Sequence, residues 1–222
     1  MSITATRARM GAVALAVAGL LFLAYPAVRP WHDEATVAGA TASMSSQAWV
    51  AAHLFAMLGL ILLPVGLLGL LGLLSTTRSE RLAFTATVVT WIGAGLTLPY
   101  YGAEDFGLHA IAGPKGAGSN LLDLVDAIRY QPVAITIFGT GLILLAVGAI
   151  LTAMAVWRSG LLPRWSGTLF AAGVTLFLPQ FFAPAPVRIA HGVLMAIGLI
   201  VIALAMWRNA SSAAPATLAP SI

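Results

Sequence analysis

Long apolar runs separated by short polar segments form most of this chain. Six of the runs reach or approach the length of about 20 residues that a helix needs to cross a hydrocarbon core of about 30 Å. They cover residues 10–28, 48–74, 82–101, 133–157, 166–182 and 188–207, and the fifth is the shortest. None alternates apolar and polar residues as the strands of a membrane barrel do. The pattern predicts an all-α, polytopic membrane helix bundle with six transmembrane helices.

The segments between the runs predict smaller features. Residues 29–47 are small and polar, and we expect an ordinary loop there. Residues 99–132 are predicted to be an extracytoplasmic loop with short helices, because Pro99 suits the first turn of a new helix and Ser119 or Asn120 can cap a second one. The last residues, 209–222, are predicted to be a flexible cytoplasmic tail.

The distribution of charge predicts the orientation. Arginines precede the first run and occupy every second connection, at Arg7, Arg9, Arg78, Arg81, Arg158, Arg164 and Arg208. Six of the seven acidic residues fall on the other side, and Glu80 is the exception. Because positive charge is retained on the cytoplasmic side, both termini are predicted to be cytoplasmic. The aromatic residues at the span ends, Trp49, Tyr100 and Tyr101 among them, are assigned to interfacial belts.

The first run has an alternative interpretation as a cleaved secretory signal. Arg7 and Arg9 precede it, and the sequence at 38–40 has the small residues of a cleavage site. The apolar run is longer than a signal core, however, and the cleavage candidate lies well beyond it. An uncleaved helix is therefore favoured.

Composition supports these predictions and narrows the classes of function. Hydrophobic residues make up 60% of the chain and charged residues 8%, whereas soluble domains have about 25% charged residues. The lipid bilayer is thus the expected partner, and the cell (plasma) membrane of a bacterium is the expected location. The net charge of +4 comes from scattered residues, which excludes nucleic acid as a partner. The absence of cysteine excludes disulfides and thiolate sites.

Two histidines within the spans are the first candidates for chemistry. His53 and His191 lie about one turn inside the outer ends of the second and sixth runs, and each is followed four residues later by a methionine, Met57 or Met195. Two imidazoles at matching depth suit haem ligation, and imidazole with thioether sulfur suits copper. The alternative is that each histidine is satisfied near the membrane interface and each methionine simply packs.

A second candidate group follows the third run. Glu104, Asp105 and His109 supply two carboxylates and an imidazole, which are the groups used for acid–base chemistry or for zinc. The alternative is a salt-bridged rim in which Arg129 or Arg188 neutralises the acids. Arg188 and Gln180 are expected to lie around the same outer opening.

Together these residues predict an outward-facing polar pocket formed by His53, Glu104, Asp105, His109 and His191. The expected function is that of a multi-pass plasma-membrane protein that binds a small molecule, a lipid or a cofactor there. Three alternatives remain open: a haem or metal redox protein using His53 and His191, a membrane enzyme acting at the outer leaflet, and a structural or regulatory subunit. The sequence assigns no catalytic residue and identifies no cofactor.

Overall fold

The chain folds into a bundle of α-helices, described for residues 3–212 by a computed structural model. These residues contain no β-strand, so the prediction of an all-α fold is confirmed for them. The α-helices are α1 (Ile3–Val28), α2 (Val37–Met44), α3 (Gln47–Leu74), α4 (Glu80–Gly102), α5 (Leu108–Ala112), α6 (Leu121–Arg129), α7 (Pro132–Ser159), α8 (Thr168–Thr175) and α9 (Ala185–Ser212). A π-helical segment, Ala103–Gly107, joins α4 to α5 without a break.

Five of the helical stretches are long and apolar enough to cross a membrane. They are α1, α3, the continuous stretch from α4 to α5, α7 and α9. The fifth predicted span, 166–182, is instead a broken segment that contains α8 between two 3-10 turns, Arg164–Gly167 and Pro179–Phe182. Pro179 has no N–H to donate to the carbonyl of Thr175, where α8 ends. Six spanning helices are therefore not confirmed.

The polar segments are more ordered than the sequence indicates. Residues 29–47, for which a loop is expected, include α2, whose first turn is capped by the Thr36 hydroxyl accepting from the N–H of Gly39. Pro99 does not begin a new helix, because α4 continues through it to Gly102. The second short helix is present as α6, without a side-chain cap from Asn120. Of the predicted tail at 209–222, α9 includes the part up to Ser212, and the remainder lies outside the described residues.

Helix α1 lies between α3 and α9 and runs antiparallel to both. Small residues allow the backbones to approach closely, as they do in membrane helix pairs. A Cβ atom added to Gly69 of α3 would lie 2.7 Å from the Cα atom of Gly11 in α1. On the other side of α1, a Cβ atom added to Gly192 of α9 would lie 3.1 Å from the carbonyl oxygen of Phe22. These contacts require glycine on both faces of α1.

Helices α4 and α7 form a second close antiparallel pair. Thr90 and Thr97 of α4 face Gly148 and Gly141 of α7, where added Cβ atoms would lie 2.2 Å and 2.5 Å from the threonine hydroxyl oxygens. The Thr97 hydroxyl donates to the carbonyl of Gly93 within its own helix. The polar residues of α4 thus serve helix packing at these positions.

The long helices and α8 form a closed ring in the order α1, α3, α4, α7, α8, α9. One end of this ring is covered by α2, α5 and α6, and we call it the capped end. The cap has its own small core, formed by Ala40, Met44, Trp49, Leu108, Ala112, Leu121 and Val125. The opposite end holds the start of α1 and the end of α9, where the Arg9 guanidinium donates to the Ser211 hydroxyl at 3.1 Å.

Candidate functional site

A cavity of about 380 Å³ lies inside the ring at its capped end. Helices α1, α3, α4, α6, α7 and α9 all contribute to it, together with the loop before α2, the π-helical segment and the turn after α8. Its lining residues are Tyr25, Arg29, Glu34, His53, Tyr100, Tyr101, Glu104, Arg129, Tyr130, Ile135, Phe138, Gly139, Leu178, Phe181, Phe182 and Arg188. The lining thus combines aromatic walls with a few charged groups.

The aromatic walls are held by contacts between their own rings. Tyr100 stacks on Phe138 with ring centroids 4.1 Å apart, and Phe138 meets Phe181 edge to face at 5.7 Å. On the other side, Tyr25 and Tyr101 meet at 5.8 Å. Offset and edge-to-face arrangements of this kind stabilise aromatic clusters. The cavity therefore has rigid, flat, apolar surfaces.

His53 supplies a directed polar atom to this lining. Its side chain is 2% exposed, and Nδ1–H donates to the carbonyl oxygen of Trp49 at 2.8 Å. In the neutral ring, donation from Nδ1 leaves Nε2 as the acceptor. The ring lies 4.4 Å from Trp49 and 5.4 Å from Tyr25, measured between centroids. His53 is thus oriented by α3 itself and offers an acceptor for a hydrogen bond.

Four charged side chains form a continuous chain of ion pairs across the capped end. Arg129 of α6 binds Glu104 in a bidentate manner, with Nε–Oε1 and Nη2–Oε2 distances of 2.7 Å and 2.9 Å. Its Nη2 also lies 3.0 Å from Glu34, whose other oxygen accepts from Arg29. Burial disfavours the charged guanidinium, but the bonds and charges of Glu104 and Glu34 outweigh it and raise the pKa of Arg129. This network fastens α6 and the loop before α2 to the end of α4.

Arg188 of α9 is bound differently from the other two arginines of the lining. Its Nε donates to the side-chain oxygen of Gln180 at 3.0 Å. Its guanidinium carbon lies 4.9 Å from the Trp31 ring centroid and 5.2 Å from that of Phe181. Within the described part of the chain, Arg188 forms no salt bridge with a carboxylate.

Only some of the residues that the sequence predicts for a pocket line the cavity. His53, Glu104 and Arg188 line the cavity, whereas Asp105, His109 and His191 lie outside its lining. Gln180, Met57 and Met195 are also outside it, although Gln180 holds Arg188 in place. The bidentate pairing of Glu104 with Arg129 is the arrangement described by the salt-bridged alternative.

Asp105 and His109 face the cap instead of the cavity. His109 Nδ1–H donates to the carbonyl oxygen of Met44 at 2.8 Å, which attaches α5 to the end of α2. The Asp105 side chain is fully buried, and neither carboxylate oxygen has a hydrogen-bond partner among residues 3–212.

His191 is bound at a different place from His53. Its Nε2–H donates to the carbonyl oxygen of Gly173 in α8 at 2.8 Å, and its ring lies 5.6 Å from that of Phe177. Helix α1 lies between the two helices that carry His53 and His191, and the described residues contain no group of three or more His, Asp or Glu side chains suited to a metal ion. Met195 is buried in the core beside Gly173. The haem and metal alternatives stay predictions of the sequence alone.

Sequence reasoning misses the aromatic part of the site. Trp49 and Tyr101 are assigned to an interfacial belt, yet their side chains are 0% and 2% exposed. Tyr101 lines the cavity, and Trp49 packs against the His53 ring that also lines it. A position near the end of a span suits both an interfacial belt and an interior site. Only the packing of the helices into a ring shows which of the two a given aromatic residue occupies. Tyr100 and Tyr101 are adjacent and lie about one turn before Glu104. This closeness to an acidic residue is the signal in the sequence that could have assigned them to the site.

Comparison with protein-family models, with curated proteins and with solved structures gives no match to this chain. The class of the protein therefore follows from its own structure. It is a membrane-embedded helical protein with an aromatic-walled, charged cavity at the capped end of the bundle.

Proposed function

We propose that this chain crosses the plasma membrane six times with both termini in the cytoplasm, and that it binds a small organic molecule in the cavity from the extracytoplasmic side. The capped end then faces outward. This orientation is supported by the distribution of arginines, since the connections at the opposite end carry Arg78, Arg81, Arg158 and Arg164.

A further crossing, which raises the number from five to six, is made by the broken segment between α7 and α9. Its path along α9 supports this crossing. Near its start, the carbonyl of Leu161 accepts from the Asn209 side chain at 3.2 Å. Near its end, Gln180 binds Arg188. Between these contacts the segment follows about twenty residues of α9, which is about 30 Å of helix and close to the hydrocarbon thickness. Irregular backbone at this depth is acceptable where it is buried in protein or lines a cavity, and Leu178 and Phe181 line this one.

Reporters of sidedness test this topology. A reporter domain fused before Met1 and, in a separate fusion, after Arg208 should in both cases give the cytoplasmic signal, because six crossings return the chain to its starting side. A reporter inserted beside the exposed Lys115 should give the extracytoplasmic signal. Opposite signals from the two terminal fusions would mean an odd number of crossings and would contradict the sixth crossing. A cytoplasmic signal from the reporter at Lys115 would overturn the proposed orientation of the cavity.

Ligand binding is supported above all by the cavity, which is walled by residues from each long helix. Its volume of about 380 Å³ lies within the range of about 300–1,000 Å³ that is usual for sites of small molecules. Such sites combine apolar and aromatic walls with a small number of placed polar groups. His53 Nε2 and the Arg188 guanidinium are groups of this kind, in a lining that also holds seven tyrosine and phenylalanine residues.

The state of the two acids supports binding over acid–base catalysis. Glu104 is held by both of its oxygens on Arg129, so accepting a proton there would remove the negative charge that strengthens both hydrogen bonds. Asp105 lies outside the lining. The cavity thus offers groups that orient a ligand, and its carboxylates are occupied by structural ion pairs.

Filling the cavity should remove the ligand. A Cβ atom added to Gly139 would meet no described atom within 4 Å, although Gly139 lines the cavity. The substitution Gly139→Leu should therefore occupy the ligand's space while the bundle still folds. Native mass spectrometry of purified protein, and analysis of the small molecules extracted from it, should find a bound compound in the wild type that Gly139→Leu lacks.

Gly95→Leu is the matched control for this experiment. Gly95 is also helical and has no described atom within 4 Å of an added Cβ, but it is exposed on the outside of the bundle. It should retain the compound. If Gly139→Leu and wild type carried the same molecules in equal amount, the cavity would not be the binding site.

A further inference from the structure

Guanidinium groups outnumber carboxylates in the lining of the cavity. Arg29, Arg129 and Arg188 face Glu34 and Glu104, and His53 is the neutral tautomer that donates through Nδ1. The two carboxylates are shared between Arg29 and Arg129. The cavity as a whole therefore has an unbalanced positive charge, which belongs to Arg188.

The contacts of Arg188 leave the binding edge of its guanidinium available. Gln180 takes only the hydrogen of Nε, and the rings of Trp31 and Phe181 hold the plane of the group. In the described part of the chain, Nη1 and Nη2 make no hydrogen bond to protein. These two nitrogens form the fork that binds a carboxylate through two parallel hydrogen bonds. Arg188 is thus oriented by neutral partners and keeps its anion-binding edge.

The rest of the cavity favours an apolar body attached to the anion. The walls nearest to Arg188 include Phe181, which stands edge to face with Phe138. Flat aromatic walls provide contact area for a planar ring or a hydrocarbon chain, and they offer few hydrogen bonds to a hydrated ion.

From these observations we infer that the ligand is a small amphipathic organic anion, with an apolar body between the aromatic walls and a carboxylate-like group on Arg188. This inference rests on the proposed function of the cavity and adds the chemical class of the ligand. The anion can come from water as an aromatic acid or from the outer leaflet as a fatty acid, and both share this chemistry.

Matched compounds that differ only in charge test the inference. The full chain is placed in nanodiscs of zwitterionic phosphatidylcholine, and equilibrium binding of radiolabelled 2-naphthoate is measured. Competition with 2-naphthamide and with 2-naphthylmethylammonium compares a neutral and a cationic group on the same rings. We expect 2-naphthoate to bind at least about tenfold more tightly than 2-naphthamide, as charge-assisted hydrogen bonds are worth about 1.4 kcal/mol or more.

Arg188→Gln should remove this preference by lowering the affinity for 2-naphthoate to the level of 2-naphthamide, and the binding of 2-naphthamide that persists reports that the cavity is intact. Lys115→Gln removes the same charge from an exposed loop position and should keep the preference. Competition with decanoate identifies the source: equal competition indicates a lipid-derived acid, and weak competition indicates an aromatic one.

Two kinds of contrary result are separable. If the amide or the ammonium compound bound wild type as tightly as the acid, or if the acid preference persisted in Arg188→Gln, the anionic class would be wrong. Provided that Gly139→Leu abolished that binding, the cavity would still be a ligand site. If none of the compounds bound wild type, the inference would be contradicted, and the proposed function would still be decided by the compound extracted from wild type and from Gly139→Leu. If Gly139→Leu left all binding unaltered, both the inference and the proposed function would be contradicted.

Discussion

Replacing Gly69 with leucine should prevent α1 from packing against α3 and should cause a large loss of stability. A Cβ atom at this position would lie 2.7 Å from the Cα atom of Gly11 and 2.9 Å from the carbonyl oxygen of Arg7. Both neighbours are backbone atoms, so no side chain can rotate away. Overpacking of this kind costs about 3 kcal/mol or more when backbones must separate.

Gly72→Leu provides the control for this prediction on the same helix. An added Cβ at Gly72 meets no described atom within 4 Å, and leucine has the higher helix propensity. Thermal unfolding of the purified protein in detergent should show a much lower Tm for Gly69→Leu and an unchanged or slightly higher Tm for Gly72→Leu. Equal Tm values for the two variants would contradict the packing of α1 on α3.

Arg129→Gln should detach part of the cap from the bundle, which is the second large effect. Glu104 would lose both of its charge-assisted hydrogen bonds while its side chain remains 12% exposed. Glu34 would keep only Arg29. Removing one partner of a fully buried ion pair costs about 3–5 kcal/mol. Partial exposure of these groups reduces the expected loss to about 2 kcal/mol, because water screens the charge that is left.

Hydrogen exchange and thermal unfolding measure this loss. Arg129→Gln should lower Tm and should raise amide exchange in α6, since the ion pairs hold that helix on the end of α4. Lys115→Gln makes the same change in charge at an exposed position of the cap and should alter neither. Unaltered exchange in α6 of Arg129→Gln would mean that the apolar core of the cap alone holds it.

The sequence is sufficient to predict the long helices because apolar length is a local property. It is insufficient for 166–182, where an apolar run of adequate length is interrupted at Thr175 and Pro179. Hydropathy is averaged over a window and does not respond to a single missing N–H. The helix α2 is missed for the opposite reason, since its burial depends on contacts with α5 and α6, which are distant in sequence.

The sequence predicts only part of the site. An ionisable residue within an apolar run is unusual and draws attention, whereas an aromatic residue at the end of a span is common. A histidine such as His53 within an apolar run is costly unless it faces the interior, so it can be found from the sequence. Glu104 and Asp105 are adjacent, but a step of about 100° around the helix separates their directions, and only Glu104 reaches the cavity. Tyr101 at a span end satisfies either a belt or an interior site, and its true neighbours come from α1 and α7.

The proposed cavity is open to water on the extracytoplasmic side, and the absence of cysteine allows a single introduced thiol to test this opening directly. In Gly139→Cys the introduced thiol is the only one in the chain, and it stands at a residue of the cavity lining. A membrane-impermeant, charged methanethiosulfonate should label it in intact cells, because thiols react as hydrated thiolates. Gly95→Cys, on the outside of the bundle, should be labelled only after denaturation. Labelling of Gly139→Cys that required denaturation or access from the cytoplasmic side would contradict an outward-opening cavity.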